Sequence, residues 1–240
     1  MATALRFVGA SLLCLVLTPP LCCAQMIRVT GKVLIERNSK QVRGAEPQPT
    51  TSILWLTPLA VPRGNVPAFT KQEFRLTQKD KHFSPELLVI PVGSSVQFPN
   101  RDPFFHNVFS LFEGKRFDLG LYQSGETRAV RFDREGVSYI FCNIHPEMHA
   151  VVVALPTPLY GVPDASGAVT ISDVPPGRYM LHVWYERAAP DTLHNFDQVF
   201  EVSEHHFELP VLRLQEDELF AEHKNKFGKD YDHTSQTPLY

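Results

Sequence analysis

The chain has 240 residues, 43% of them hydrophobic, which is enough for one or two packed domains. Its formal net charge is −3 and its pI is about 6.4, so there is no basic footprint for nucleic acid. The 20 prolines and 17 phenylalanines, set among Val/Thr/Ser alternations, favour short strands and turns over long helices.

Residues 1–24 read as an export signal. Arg6 supplies the positive start, and Phe7 to Leu17 form an apolar run too short to span a bilayer comfortably. Pro19 and Pro20 end the run, and Cys22, Cys23 and Ala24 offer small residues for cleavage before Gln25. The same prolines stand three places before Cys22 and Cys23, where a lipidated cysteine needs Leu or a similar residue, so free secretion is preferred over a lipid anchor. The expected location is the periplasm or the extracellular space, and no later stretch is long and apolar enough for a membrane span. Cleavage removes Cys14, Cys22 and Cys23 and leaves Cys142 alone. A solitary cysteine in an oxidising compartment is either a small buried hydrophobe or a group with a task.

Residues 25–66 hold two strand candidates, "MIRVTGKVLI" and "TSILWLTPL", joined by a polar, proline-containing link. Within 67–155, "SVQF" alternates, with Val96 and Phe98 on one face, and "HNVFS" opens another strand at His106. "GVSYIFC" is a period-two strand in which Val137, Tyr139 and Phe141 oppose Ser138, Ile140 and Cys142. "HAVVVAL" is continuously apolar, as expected of a strand covered on both faces. The loop between these last two presents Cys142, His145 and Met148 together, stiffened by Pro146.

Residues 156–214 carry further short strands, "GAVTISDVPPGRYMLHVWYE" and "HHFELPVLRL", with Trp184 and Tyr185 as core candidates. Residues 215–240 are charged. Leu219 and Phe220 are too few for a strong amphipathic face, so a solvated, partly docked tail with at most one short helix is expected. His205, His206, His223 and His233 read as scattered surface histidines rather than a second metal site.

Thiolate, imidazole and thioether in one loop make a soft ligand set that suits copper, and the electron-transfer form needs a second imidazole. His106, in "FPNRDPFFHNVFS", is the candidate. The fourth position is open between Met148, Glu147 and His149. Alternation points Glu147 and His149 away from the side Met148 takes, and a thioether is the softer partner.

His106-Asn107-Val108 followed by Cys142-x2-His145-x2-Met148 resembles the small blue (type 1) copper proteins, the cupredoxins plastocyanin and especially amicyanin. Pro146 directly after His145 matches the amicyanin pattern, and "FSPELLVIPVGSSVQFPN" is similar to the family's early strands. The resemblance spans about residues 70 to 155. The segment order also resembles bacterial methylamine-utilisation-like cupredoxin proteins. It implies an all-β, Greek-key β-sandwich, copper held by His106, Cys142, His145 and Met148, and one-electron transfer. It further implies that Asn107 ties the two ligand-bearing segments together and that the edge of His145 is the electron port, with Phe104 and Phe105 either an apolar contact patch there or ordinary core. The flanks, 25–66 and 156–214, look like two halves of a carboxypeptidase regulatory-like, prealbumin-type sandwich into which the cupredoxin domain, 67–155, is inserted.

Phe141 and Asn143 flank the cysteine where multicopper oxidases carry histidines, and a dinuclear electron-entry copper centre needs two bridging cysteines, of which only one survives export. No G-x-S-x-G, H-E-x-x-H or P-loop is present. The expected function is that of a carrier, not an enzyme, working with an unidentified redox partner protein. Two alternatives are a periplasmic copper-handling protein, disfavoured by so few methionines in the mature chain (Met26, Met148, Met180), and a metal-free structural module, disfavoured because all four ligand positions are filled.

Overall fold

A computed structural model describes residues 26–37, 51–60, 67–69, 72–111, 114–203, 206–216, 226–227 and 229. The predicted export signal, His205, His223, His233, Leu219 and Phe220 lie outside the described residues.

The described chain is almost entirely β. The N-terminal part contributes β1 (Ile27–Arg37) and β2 (Ser52–Pro58). The middle contributes β3 (Phe74–Arg75), β4 (Thr77–Lys79), β5 (His82–Ser84), β6 (Leu87–Pro91), β7 (Ser95–Pro99) and β8 (His106–Ser110). It continues with β9 (Phe117–Tyr122), β10 (Thr127–Arg131), β11 (Gly136–Phe141) and β12 (His149–Leu155). The C-terminal part adds β13 (Tyr160–Gly161), β14 (Ala168–Val174), β15 (Gly177–Tyr185), a single helical turn α1 (Pro190–Leu193), β16 (Gln198–Val202), β17 (His206–Glu208) and β18 (Leu212–Glu216).

In the middle part, the sheet β6-β12-β11-β8-β9 faces the sheet β10-β7-β3. Val96, Phe98, Val130, Ile140, Ala150, Val152 and Ala154 fill the core between them. The N- and C-terminal strands pair with one another instead. β1 lies between β14 and the parallel strands β17 and β18, and β2 lies between β13 and β15, with β16 outside β15. Ile27, Val29, Ile53, Leu54, Leu181, Trp184 and Tyr185 belong to this second core.

Strand β12 belongs to both cores. Ala150, Val152 and Ala154 point into the first, whereas Val151, Val153 and Leu155 point into the second. Side chains alternate across a strand, so a run with no polar member has no face to offer water. The central sheet is therefore a wall shared by two hydrophobic interiors. β11 does the same with less burial: Ile140 faces the first core, while Val137 and Tyr139 pack on the second.

β18 runs through Glu216, two residues into the segment read as tail. Leu212, Leu214 and Glu216 alternate inward, and Arg187 Nε forms an ion pair with Glu216 Oε1 at 2.9 Å. That partner is what allows a carboxylate to end a buried strand.

Candidate metal centre

The loop that carries three of the four predicted ligands is pinned at its base. β11 and β12 pair antiparallel up to Phe141 opposite His149. Beyond that pair, the Cys142 N–H donates to the Met148 carbonyl at 3.2 Å, and the Met148 N–H donates to the His145 carbonyl at 3.1 Å. The loop is thus folded back on itself, with Cys142 and Met148 side by side at its neck. β8 pairs with β11 at Phe109 opposite Phe141. Running antiparallel from that pair, β8 starts level with the loop, which is how a residue distant in sequence reaches it.

That residue is His106. Its Nδ1 lies 3.7 Å from Cys142 Sγ, and His145 Nδ1 lies 3.6 Å from the same sulfur. The ligand atoms of His106, Cys142 and His145 are all within 4.8 Å of one another. The two imidazole rings meet edge-on, centroids 4.9 Å apart at 63°. This is one small pocket of a soft sulfur and two nitrogens, the donor set that suits a soft or borderline transition metal ion.

Met148 is fully buried in the same core cluster as Cys142. Its two competitors are exposed. The Glu147 carbonyl lies 3.2 Å from His149 Nδ1, and His149 Nε2 reaches across to Glu186 Oε1 at 3.6 Å. The burial pattern follows the alternation expected from the sequence.

The protonation states favour ligation by the imidazoles. Burial, then the neighbouring His106 and Lys81 charges, push His145 down to about 4, so it is neutral at neutral pH. Burial also lowers His106, more than Asp102 beside it raises it. Burial pushes the Cys142 thiol up, opposed by the backbone N–H groups of Asn107, Ile144 and His145 directed at its sulfur. Capture of a metal ion by this pocket therefore expels a proton from the thiol.

Asn107 does not reach the loop with its side chain. Its Nδ2 donates to Asp118 Oδ1 at 2.7 Å; only its backbone N–H addresses the cysteine. The side-chain tie is longer and passes through the tail. Lys226 Nζ donates to Asp118 Oδ2 at 2.9 Å, while the Lys226 N–H donates to Asn143 Oδ1 at 3.1 Å. Asn107 and Asn143, each the neighbour of a candidate ligand, are thus joined through Asp118 and Lys226.

Phe104 and Phe105 play different parts. Phe104 is half-buried and packs on both imidazoles, at 5.2 Å from His106 and 5.5 Å from His145. Phe105 is 39% exposed. One residue that sequence reasoning passed over is Asp102, whose Oδ2 accepts from His106 Nε2 at 2.7 Å. Its four-residue spacing from His106 was the available signal, hidden in a Pro- and Asp-containing stretch that reads as a turn.

No family model matches this chain, and no curated protein matches it. Solved structures do. A novel purple cupredoxin from Nitrosopumilus maritimus is 26% identical over 35% of this chain and 100% of its own, with a TM-score of 0.32. A Cu-containing nitrite reductase (NirK) from Thermus scotoductus SA-01 is 24% identical over 41% of this chain and 25% of its own, with a TM-score of 0.34. A mutant of amicyanin in its oxidised state is 20% identical over 35% of this chain and 82% of its own, with a TM-score of 0.33.

Proposed function

We propose that this chain is an exported type 1 copper protein that carries single electrons between redox partners. The observation that carries this reading is the convergence of His106, Cys142 and His145, two imidazole Nδ1 atoms on one buried sulfur. Met148, buried beside the cysteine, is the fourth ligand in this proposal, and Glu147 and His149 are not.

Copper bound in this pocket supplies a one-electron couple. The chain's own residues do the rest. His106 and Cys142 are sealed from water, and Phe104 wedges against both imidazoles, which restricts how far the donors can shift. A site held in this way reorganises little when charge changes, whether or not its geometry is called strained. His145 is the less buried imidazole, so its edge is the port, and exposed Phe105 is available to an apolar partner surface. The proposed role is that of a carrier; Asn143 stands beside the cysteine where an onward histidine would be needed.

The test is titration of the purified mature chain with Cu(II). One equivalent should produce intense thiolate-to-copper charge-transfer absorption; a colourless, nonstoichiometric complex would remove the basis for the reading. Met148→Leu should leave the band in place and raise the reduction potential, measured by redox titration, because a thioether donor to Cu(II) is lost. Loss of copper altogether would mean that Met148 holds the ion rather than tuning it.

The two flanks form one sandwich interrupted by the copper-binding unit in this proposal. The pairing of β1 with β14, β17 and β18, and of β2 with β13 and β15, supports it. After limited proteolysis near residues 66 and 156, fragment 25–66 should co-elute with fragment 156–214. Its release on its own would instead favour an N-terminal arm that merely leans on the copper unit.

A further inference from the structure

Asp102 is almost fully buried, at 3% exposure, yet it is surrounded by donors. Its Oδ1 accepts from the Asp80 N–H at 2.6 Å, and its Oδ2 accepts from the Lys81 N–H at 3.0 Å. The same Oδ2 accepts from His106 Nε2 at 2.7 Å. The two backbone donors sit at the tip of the β4–β5 hairpin, where Lys79 pairs with His82 and only Asp80 and Lys81 remain in the turn. Both have positive φ, 54° and 59°, the paired left-handed conformation of a tight hairpin turn that Asn-Gly normally fills. For Lys81 in particular that conformation is unfavourable, because its Cβ crowds the following carbonyl oxygen. The turn is held there from outside: Gln78 bridges to Asn100, and the Arg101 N–H donates to the Gln78 carbonyl at 2.8 Å. The segment leading to His106 is latched as well. Asn100 Oδ1 accepts from the Asp102 N–H at 3.0 Å, and Asn100 Nδ2 donates to the Phe104 carbonyl at 2.8 Å.

We infer that Asp102 is a positioning residue for the metal centre: clamped by the β4–β5 turn, its carboxylate fixes His106 as the Nε2–H tautomer and makes Nδ1 a stronger donor, which lowers the reduction potential of bound copper. This rests on the copper reading above. Three donors converge on Asp102, and an ionised carboxylate has only acceptors to offer them. The proton on Nε2 leaves the Nδ1 lone pair facing Cys142 Sγ. Carboxylate partners of ligating histidines act in this way, orienting the ring and raising its basicity.

An amide at this position cannot satisfy all three donors. With its oxygen in place of Oδ2 it still accepts from His106, but its NH2 then opposes the Asp80 N–H, and the negative charge is gone. Asp102→Asn should therefore keep the ring oriented while weakening the donor. Cu(II) affinity is expected to fall roughly ten- to a hundredfold, with a smaller change for Cu(I), whose lower charge makes less demand on the donor. Each tenfold of that difference raises the potential by about 59 mV. Asp102→Ala removes the acceptor altogether.

The experiment has two arms. The first measures the potentials of the copper-loaded wild type and Asp102→Asn. The second reads the histidine ring nitrogens by 15N NMR in the metal-free wild type, Asp102→Asn and Asp102→Ala, with melting temperatures recorded alongside. The expected result is a raised potential in Asp102→Asn, a single Nε2–H tautomer of His106 in the wild type, and a tautomer mixture in Asp102→Ala. Lowered melting temperatures with an unchanged potential and an unchanged His106 tautomer would overturn the inference and leave Asp102 as a latch for the hairpin alone. The metal-free arm separates the two failures: a wild type that binds no copper refutes the copper reading, while the tautomer comparison still decides whether Asp102 sets the state of His106.

Discussion

Replacement of Cys142 by serine is expected to abolish the charge-transfer band completely while leaving the fold intact. The sulfur has no exposed surface and lies 3.7 and 3.6 Å from the two imidazole nitrogens, so no other soft donor can take its place from solvent. A serine hydroxyl is close in volume, and the backbone N–H groups of Asn107, Ile144 and His145 that address the sulfur can donate to its oxygen. Stability should change by about 1 kcal/mol or less, in line with exchanging one small, hydrogen-bonded side chain for another. The optical spectrum after Cu(II) addition and a thermal melt check the two halves of this expectation together. A band that survives the substitution would place copper elsewhere.

The second large effect is structural. Val153→Asp is expected to unfold the copper-binding unit and the flanking strands together, although the residue is no neighbour of any ligand in sequence. Val153 is 1% exposed, and it points into the second core from a strand whose other face lines the first. An unpaired carboxylate there costs roughly 4 kcal/mol or more, against about 5–15 kcal/mol of total stability for a domain. Because the central sheet is a common wall, the loss cannot be confined to one side. Circular dichroism and copper binding should fail in parallel. Val199→Asp, on β16 where the side chain is 46% exposed, should shift stability by no more than about 0.5 kcal/mol. A Val153→Asp protein that keeps its copper spectrum and a near-native melting temperature would show that the two interiors are independent.

Much of this was legible in the residues because the patterns are local. The alternation of "GVSYIFC" and the unbroken apolar run of "HAVVVAL" place β11 and β12, and the second pattern also announces burial on both faces. The spacing of Cys142, His145 and Met148 in one tight loop, with His106 at the start of a strand, is enough to suggest which side chains meet. What the sequence hides is what depends on distant segments folding back. Asp102 gains its role from a hairpin tip twenty-odd residues earlier whose Asp-Lys turn carries no glycine to advertise it. The tie between the ligand-bearing segments runs not through the Asn107 side chain alone but on through Asp118 to Lys226, in a tail whose composition suggests partial docking without saying on what. Nor does composition reveal that Phe104 seats itself against both imidazoles while its neighbour Phe105 faces outward.

X-ray absorption at the copper K-edge of the Cu(II)-loaded chain tests the proposed centre most directly. Copper held by this pocket should show one short copper–sulfur distance from Cys142 together with two imidazole nitrogens. A copper environment of nitrogen and oxygen alone, with no sulfur neighbour, would contradict it.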